Sequence, residues 1–414
     1  MKWGLTLAAL ACIVALLLAR WAIPSYDEAD AEAASHAADV GDVVKLTKLL
    51  DAHPDLANAD GARTPGTRLL SVAALTRHSE IVRLLLERGA NPNHLDQDDG
   101  SDWRAGTSLT WAVEGGSREC VDLLLEHAAN PNMASVYGDL PLFAAFNKDD
   151  VETAKILIDH GADLSARPPD TFGPNTAIGA ARSVAMLELL VAHGADVNLA
   201  WRGQTPLHRA AMEGDVRRID YLLAHGANIE ARGISGQTPL YVAAETGHLN
   251  SMKSLLGHGA VLDVQNSVGW TPLYEAVAYG HADVVEFLLN SGKSPDGITP
   301  GGFSPLHIAA LHGQAAMATL LLSRGAQVDP KTQQWETPLH AAAAQGNLDV
   351  VRVLVEHGAN VTSRTSGVIR LWRKQACIGM CRLKIIWNPT PSLSLLECLL
   401  ADLADWELRF TPRL

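Results

Sequence analysis

Apolar positions recur along most of this chain as two short helical stripes in every 33 residues, separated by polar turns. Five segments align without gaps: GQTPLHRAAMEG from Gly203, GQTPLYVAAETG from Gly236, GWTPLYEAVAYG from Gly269, GFSPLHIAALHG from Gly302 and WETPLHAAAAQG from Trp335. Their hydroxyl residues, Thr205, Thr238, Thr271, Ser304 and Thr337, each fall 33 residues after the last. The spacing predicts a first helix that starts at the hydroxyl, which accepts a bond from a free backbone N–H. Proline follows where its missing donor is not needed and its φ is already helical. Leu and the Ala pair make the apolar face, and Gly214, Gly247, Gly280, Gly313 and Gly346 end the helix where a left-handed residue is wanted. A second stripe, such as YLLAHGANIEA or RVLVEHGANVTS, predicts a second helix closed by a Gly-Ala turn.

Weaker copies lie upstream. GTSLTWAVEGG from Gly106, GDLPLFAAFNKDD from Gly138 and RLLSVAALTRHSEIVRLLLERGANPN from Arg68 follow the same plan. A polar first copy begins at Ala34, and the copy from Gly173 is two residues short between its helices. Ten units are predicted over residues 37–364, each too small to bury its own apolar face and so dependent on its neighbours.

The period and the T-P-L-H-x-A-A motif, repeated five times in succession, resemble the ankyrin repeat family. The resemblance implies an all-α solenoid of about ten helix-turn-helix repeats with projecting loops or β-hairpins. It also implies binding of another protein through loop tips and the outward positions of the first helices. Carried onto this chain, those positions are Trp201, Arg202, Met212, Glu213, Ile234, Glu245, Trp270, Tyr279, Phe303, Leu311 and His312, with Trp103 in an earlier repeat and Trp335 in place of a tip glycine. Four of the ten tryptophans stand at or near these tips, where Trp and Tyr are enriched as binding hot spots. Packing against the neighbouring loop is the competing role for any one of them.

Charge narrows the partner. The formal net charge is −13, which excludes a positive field for phosphates and so a nucleic-acid partner. The acid sits in the repeats. Residues 365–414 are different, with seven Lys and Arg against four Asp and Glu, three of the five cysteines, and no repeat. Within this atypical tail, residues 392–408 are expected either to form a helix that caps the last repeat or to belong to an altered, frame-shifted C-terminus.

At the other end, residues 3–19 are uncharged and apolar, and residues 21–23 extend the run past Arg20. As helix, residues 3–23 approach the ~30 Å of a bilayer core. The expectation is a signal anchor, or a cleaved signal peptide, followed by an acidic linker over 24–36. Lys2 before the span favours repeats outside the cytoplasm: inner-membrane anchored and periplasmic in a bacterium, or soluble there after cleavage.

The chain contains no phosphate loop, HExxH, nucleophile elbow or paired-cysteine zinc pattern, so no enzyme, cofactor or metal is expected. The histidines follow the repeat, in TPLH blocks (His208, His307, His340) or before Gly-Ala turns (His160, His193, His225, His258, His357), so they form rows and do not converge on an ion. Asp96, Asp98, Asp99 and Asp102 read as a solvated acidic loop, with a weak calcium site as the alternative; position twelve of an EF-hand would fall on Thr107. Cys120 occupies an aliphatic position and reads as core. The expected function is a membrane-tethered or exported interaction scaffold; the alternatives are an inhibitor or immunity protein, and a stabilising factor for an exported enzyme.

Overall fold

Short apolar stripes of seven to nine residues leave room for about two turns of helix, and two turns are what form in most of the repeats. The computed structural model describes residues 26–59, 68–96, 106–166 and 176–363. Within these it holds ten helix pairs and no strand. The chain divides into two compact units at Leu199 and Ala200. In the first unit the pairs are α1 (Glu28–Val40) and α2 (Val43–Ala52), α3 (Leu69–Leu75) and α4 (Ser79–Glu87), α5 (Ser108–Gly115) and α6 (Arg118–Glu126), α7 (Pro141–Lys148) and α8 (Val151–Asp159), and α9 (Ala177–Ala180) and α10 (Val184–Ala192). In the second they are α11 (Pro206–Glu213) and α12 (Val216–Ala224), α13 (Pro239–Glu245) and α14 (Leu249–Gly257), α15 (Pro272–Tyr279) and α16 (Ala282–Asn290), α17 (Pro305–Leu311) and α18 (Ala315–Ser323), and α19 (Pro338–Gln345) and α20 (Leu348–Glu356).

Within each unit, first helices pack on the first helices of adjoining repeats. The repeating small residue makes this possible: Ala210, Ala243, Ala276, Ala309 and Ala342 are all fully buried where neighbouring helices meet. Leu207, Leu240 and Leu306 flank them, also fully buried, each worth ~1.5–3 kcal/mol of apolar burial. Cys120 is buried in the core as expected. The shortened repeat shows its deletion in α9, a single helical turn.

Two expectations change, and one open alternative closes. Residues 28–36, expected as linker, belong to α1, with Ala34 and Ser35 buried in the first repeat. The capping Asp27 carboxylate accepts from Asp30 N–H, so the acidic residues start a helix and do not space one. Of the two forms expected for the projecting fingers, loops are what form: tight turns closed by pairs of backbone bonds, as from Gly233 N–H to Gln237 O (2.8 Å) and from Gly236 N–H to Gly233 O (2.9 Å). Finally, Asp96 is 1% exposed and not solvated. It accepts from Trp111 Nε1 (2.9 Å) and from the backbone N–H of Arg68 (3.2 Å), the residue that starts α3 without a side-chain cap of its own. Burial lifts the Asp96 carboxyl to about 6, against the opposing pull of those hydrogen bonds and of Arg68.

The apolar segment 3–23, Asp98, Asp99, Asp102, Trp103 and the tail with its candidate cap over 392–408 lie outside the described residues. Among the described residues no helix is long and apolar enough to cross a membrane, and no group of His, Cys, Asp and Glu is arranged to hold a metal ion.

Candidate protein-binding surface

The second unit carries all the candidate residues except Trp103, and its fingers are held by a ladder of ring-to-backbone bonds. At Thr205, the hydroxyl accepts from His208 N–H, while Thr205 N–H donates to His208 Nδ1 (3.2 Å). With Nδ1 accepting, the ring proton sits on Nε2 and donates to Gln237 O of the next finger (3.0 Å). His307 repeats this between Ser304 and Glu336 O, and His340 between Thr337 and Ser363 O. Burial pushes the His208 and His307 rings below the usual imidazole range, which keeps them neutral as this geometry requires. Among the histidines that precede the Gly-Ala turns, Nδ1 of His160, His193, His225 and His357 bonds the carbonyl four residues back, while Nε2 of His193 and of His258 lies 3.6 Å and 3.2 Å from Asp159 and Asp220 of the preceding repeats.

Two repeats replace the histidine with tyrosine. Tyr274 keeps the ladder, its hydroxyl donating to Phe303 O (3.1 Å). Tyr241 does not. Its buried hydroxyl donates to Glu275 Oε1 (2.7 Å) and accepts from Asn266 Nδ2 (2.8 Å), and Asn266 in turn accepts from Val268 and Trp270 N–H. One polar chain thus ties the finger of Trp270 to the outward face of α15. Glu245 lies near this chain, where burial and the charge of Glu275 both raise its carboxyl.

Placed on this frame, the candidates separate by what they touch. Ile234 (74% exposed), Tyr279 (58%), Trp335 (56%) and Met212 (39%) present large apolar surface to solvent, and His312 is exposed beside the half-buried Leu311. Arg202 lies 4.8 Å over the ring of Trp201, the two held at a turn closed by bonds between Trp201 and Gln204. Trp270 and Phe303 are half-buried and pack inward, their rings 6.1 Å and 5.7 Å from those of Tyr274 and His307. Glu213 is occupied: Arg209 Nε donates to it at 2.6 Å and the buried Arg218 pairs with it as well. Burial raises the Glu213 carboxyl, but the two guanidiniums outweigh burial and hold it below its ordinary value.

Two candidates, Arg202 and Trp335, have a left-handed backbone without being glycine. The register position of Trp335 is filled by Gly203, Gly236, Gly269 and Gly302 in the preceding repeats, all at φ between 76° and 82°. Trp335 adopts the same left-handed conformation at φ 66°, which disfavours a side chain by roughly 1–2 kcal/mol. Its ring nevertheless stands largely in solvent, with Lys331 Nζ 4.9 Å from the centroid.

Two residues of this surface were not among the sequence candidates. Val268 (66% exposed) and Ile298 (71%) stand on successive fingers between Ile234 and Trp335. The signal for both is a β-branched residue in a turn otherwise made of Asn, Ser, Gly, Pro and Asp. Behind Ile298 a cleft of about 180 Å³ opens between two fingers, walled by Leu262, Thr271, Pro272 and Tyr274, with the Lys293–Asp263 ion pair at its edge.

Comparisons with known proteins agree with this geometry. A model of ankyrin repeats in three copies matches residues 95–168, 231–299 and 293–365. A many-copy ankyrin model matches 176–223 and 208–253, and a single-repeat model matches 66–97. The chain is similar to the mouse B-cell lymphoma 3 protein homolog, 34% identical over 166 residues, covering 38% of this chain and 36% of that protein. It is also similar to a Caenorhabditis elegans transient receptor potential cation channel subfamily A member 1 homolog, 26% identical over 164 residues, 39% of this chain and 13% of that one. This chain therefore spans well under two thirds of either relative. From the 33-residue period, the capped helix pairs and these matches, the chain belongs to the ankyrin repeat family.

Proposed function

We propose that this chain is a non-enzymatic scaffold that holds another protein against the fingers and first-helix faces of its second unit. Trp335 carries the reading. A large ring placed at a glycine position, against a backbone preference and out in solvent, contributes little to the fold, and strain of this kind is retained where a residue serves recognition. Ile234, Val268, Ile298 and Tyr279 supply exposed apolar area around it, while the exposed Arg202, Met212 and His312 and the half-buried Trp201, Glu245 and Leu311 form the margin. Trp270 and Phe303 shape the surface from beneath, and Glu213 contributes through its arginines. The acidic repeats suit a basic partner, as an inhibitor of a basic exported protein would need. We also place residues 3–23 in a bilayer, with the array on the extracytoplasmic side; the support is the length of that apolar run and the lysine before it.

The test uses full-length protein tagged before Gly367 in intact cells. Partners are captured and identified by mass spectrometry, and their retention is compared for wild type, Trp335→Gly and Ile234→Ser. Both substitutions are expected to release the partner while leaving the thermal midpoint of the array unchanged or, for Trp335→Gly, raised. Retention by both variants would remove the surface assignment. Protease added outside the inner membrane should cut the repeats; protection would reverse the orientation.

A further inference from the structure

The register of the second unit exposes an unfinished end. Ile219, Met252, Val285 and Ala318 occupy one position in four successive repeats and are fully buried. Val351, the fifth member of that column, is only half-buried. A second column behaves alike: Ala211, Ala244, Val277 and Ala310 are fully buried, and Ala343 is not. In the interior repeats the following helix pair supplies the cover, as α19 covers α17 and α20 covers α18. After α20 the described residues end at Ser363, and among them no further helix pair packs over the half-buried Val351 and Ala343.

We propose that this face is covered by the chain's own tail, residues 395–408, docked as a helix. Leu396, Leu399, Leu403 and Trp406 follow one another at intervals of three, four and three, an apolar stripe along one helical face. Ser394 and Glu397 stand in the Ser-x-x-Glu order of a capping box, after Pro391. Glu397 and Asp405 fall on the opposite side of that helix and remain in water. Reach is not limiting: residues 364–394 extend to about 100 Å at most, against about 14 Å for the helix Leu348–Glu356. The connecting residues 365–391 carry Arg370, Arg373, Lys374, Arg382 and Lys384 and no carboxylate, so they are drawn to the acidic repeats they must cross. This contact is intramolecular and independent of the partner surface on the fingers.

Hydrogen exchange by mass spectrometry on the full chain tests it. In wild type, the amides of Leu348–Glu356 and of residues 395–408 are both expected to be protected, equally at low and at tenfold higher protein concentration. Replacing Leu399→Asp and Leu403→Asp together should speed exchange in both segments by about tenfold or more and leave Pro239–Glu245 unchanged. The proposal is overturned if residues 395–408 exchange as free peptide in wild type, or if Leu348–Glu356 does not respond to the tail substitutions. Protection of Leu348–Glu356 that disappears on dilution would overturn it too, by assigning the cover to a second copy of the chain.

Discussion

His208 and His307 each join a helix cap to the next finger, and the join needs a neutral ring, since Nδ1 accepts while Nε2 donates. Burial lowers both rings below 6.5, so the folded state releases protons that the unfolded chain still holds. Their contribution is therefore complete above about pH 6.5 and is lost as pH falls through the lowered values. The thermal midpoint should drop on acidification from pH 7 to 5, and a His208→Gln, His307→Gln double variant should show a shallower drop. Asp96 works in the opposite sense. Its carboxyl rises from 3.8 to about 6, so the folded state holds the extra proton and the group destabilises as pH climbs through that window. Relative to wild type, Asp96→Asn should gain stability between pH 4 and pH 7, by at most ~3 kcal/mol. Denaturant titrations at the two pH values give the difference directly, and an unchanged difference would place Asp96 in water.

A helix pair of this kind stands on its caps and on the glycine between its helices. The Thr205 and Thr238 hydroxyls each accept from the third residue of their helices, and Thr205→Ala should lose ~1 kcal/mol in equilibrium unfolding. Gly247 is under two constraints at once. It lies at φ 77°, and a Cβ there would stand 2.5 Å from the His281 ring, which donates to Glu245 O across the repeat boundary. Gly247→Ala should therefore exceed the ~1–2 kcal/mol of the left-handed conformation alone, and a smaller loss would mean that the ring moves aside freely. These features were legible in the sequence because each is written at a fixed offset inside one repeat. The cap of α3 was not, because its acceptor, Asp96, comes from the following repeat, 28 residues on from Arg68. Glu213 was half legible: Arg209 stands four residues before it on the same helix, but Arg218 reaches it from the next helix. Val268 and Ile298 are not legible in this way, because a turn residue's exposure depends on which neighbours the fold brings over it.

For the whole molecule, charge and apolar tips should govern different steps of binding. The acidic repeats act over roughly a Debye length, about 8 Å at physiological salt, and so bear on approach to a basic partner. The rings and branched side chains at the tips act only on contact, where Trp335, Ile234 and Tyr279 are exposed. Raising salt should therefore slow association with the captured partner and leave the dissociation rate nearly constant. Trp335→Gly should do the reverse, speeding dissociation while association stays within about threefold, because mutants of one interface differ mainly in how long they stay bound. The same substitution relieves a left-handed tryptophan, so its thermal midpoint should hold or rise as its affinity falls. A ring that mattered for folding would lower both together, so surface-binding kinetics and a melting curve on one variant decide which role Trp335 has.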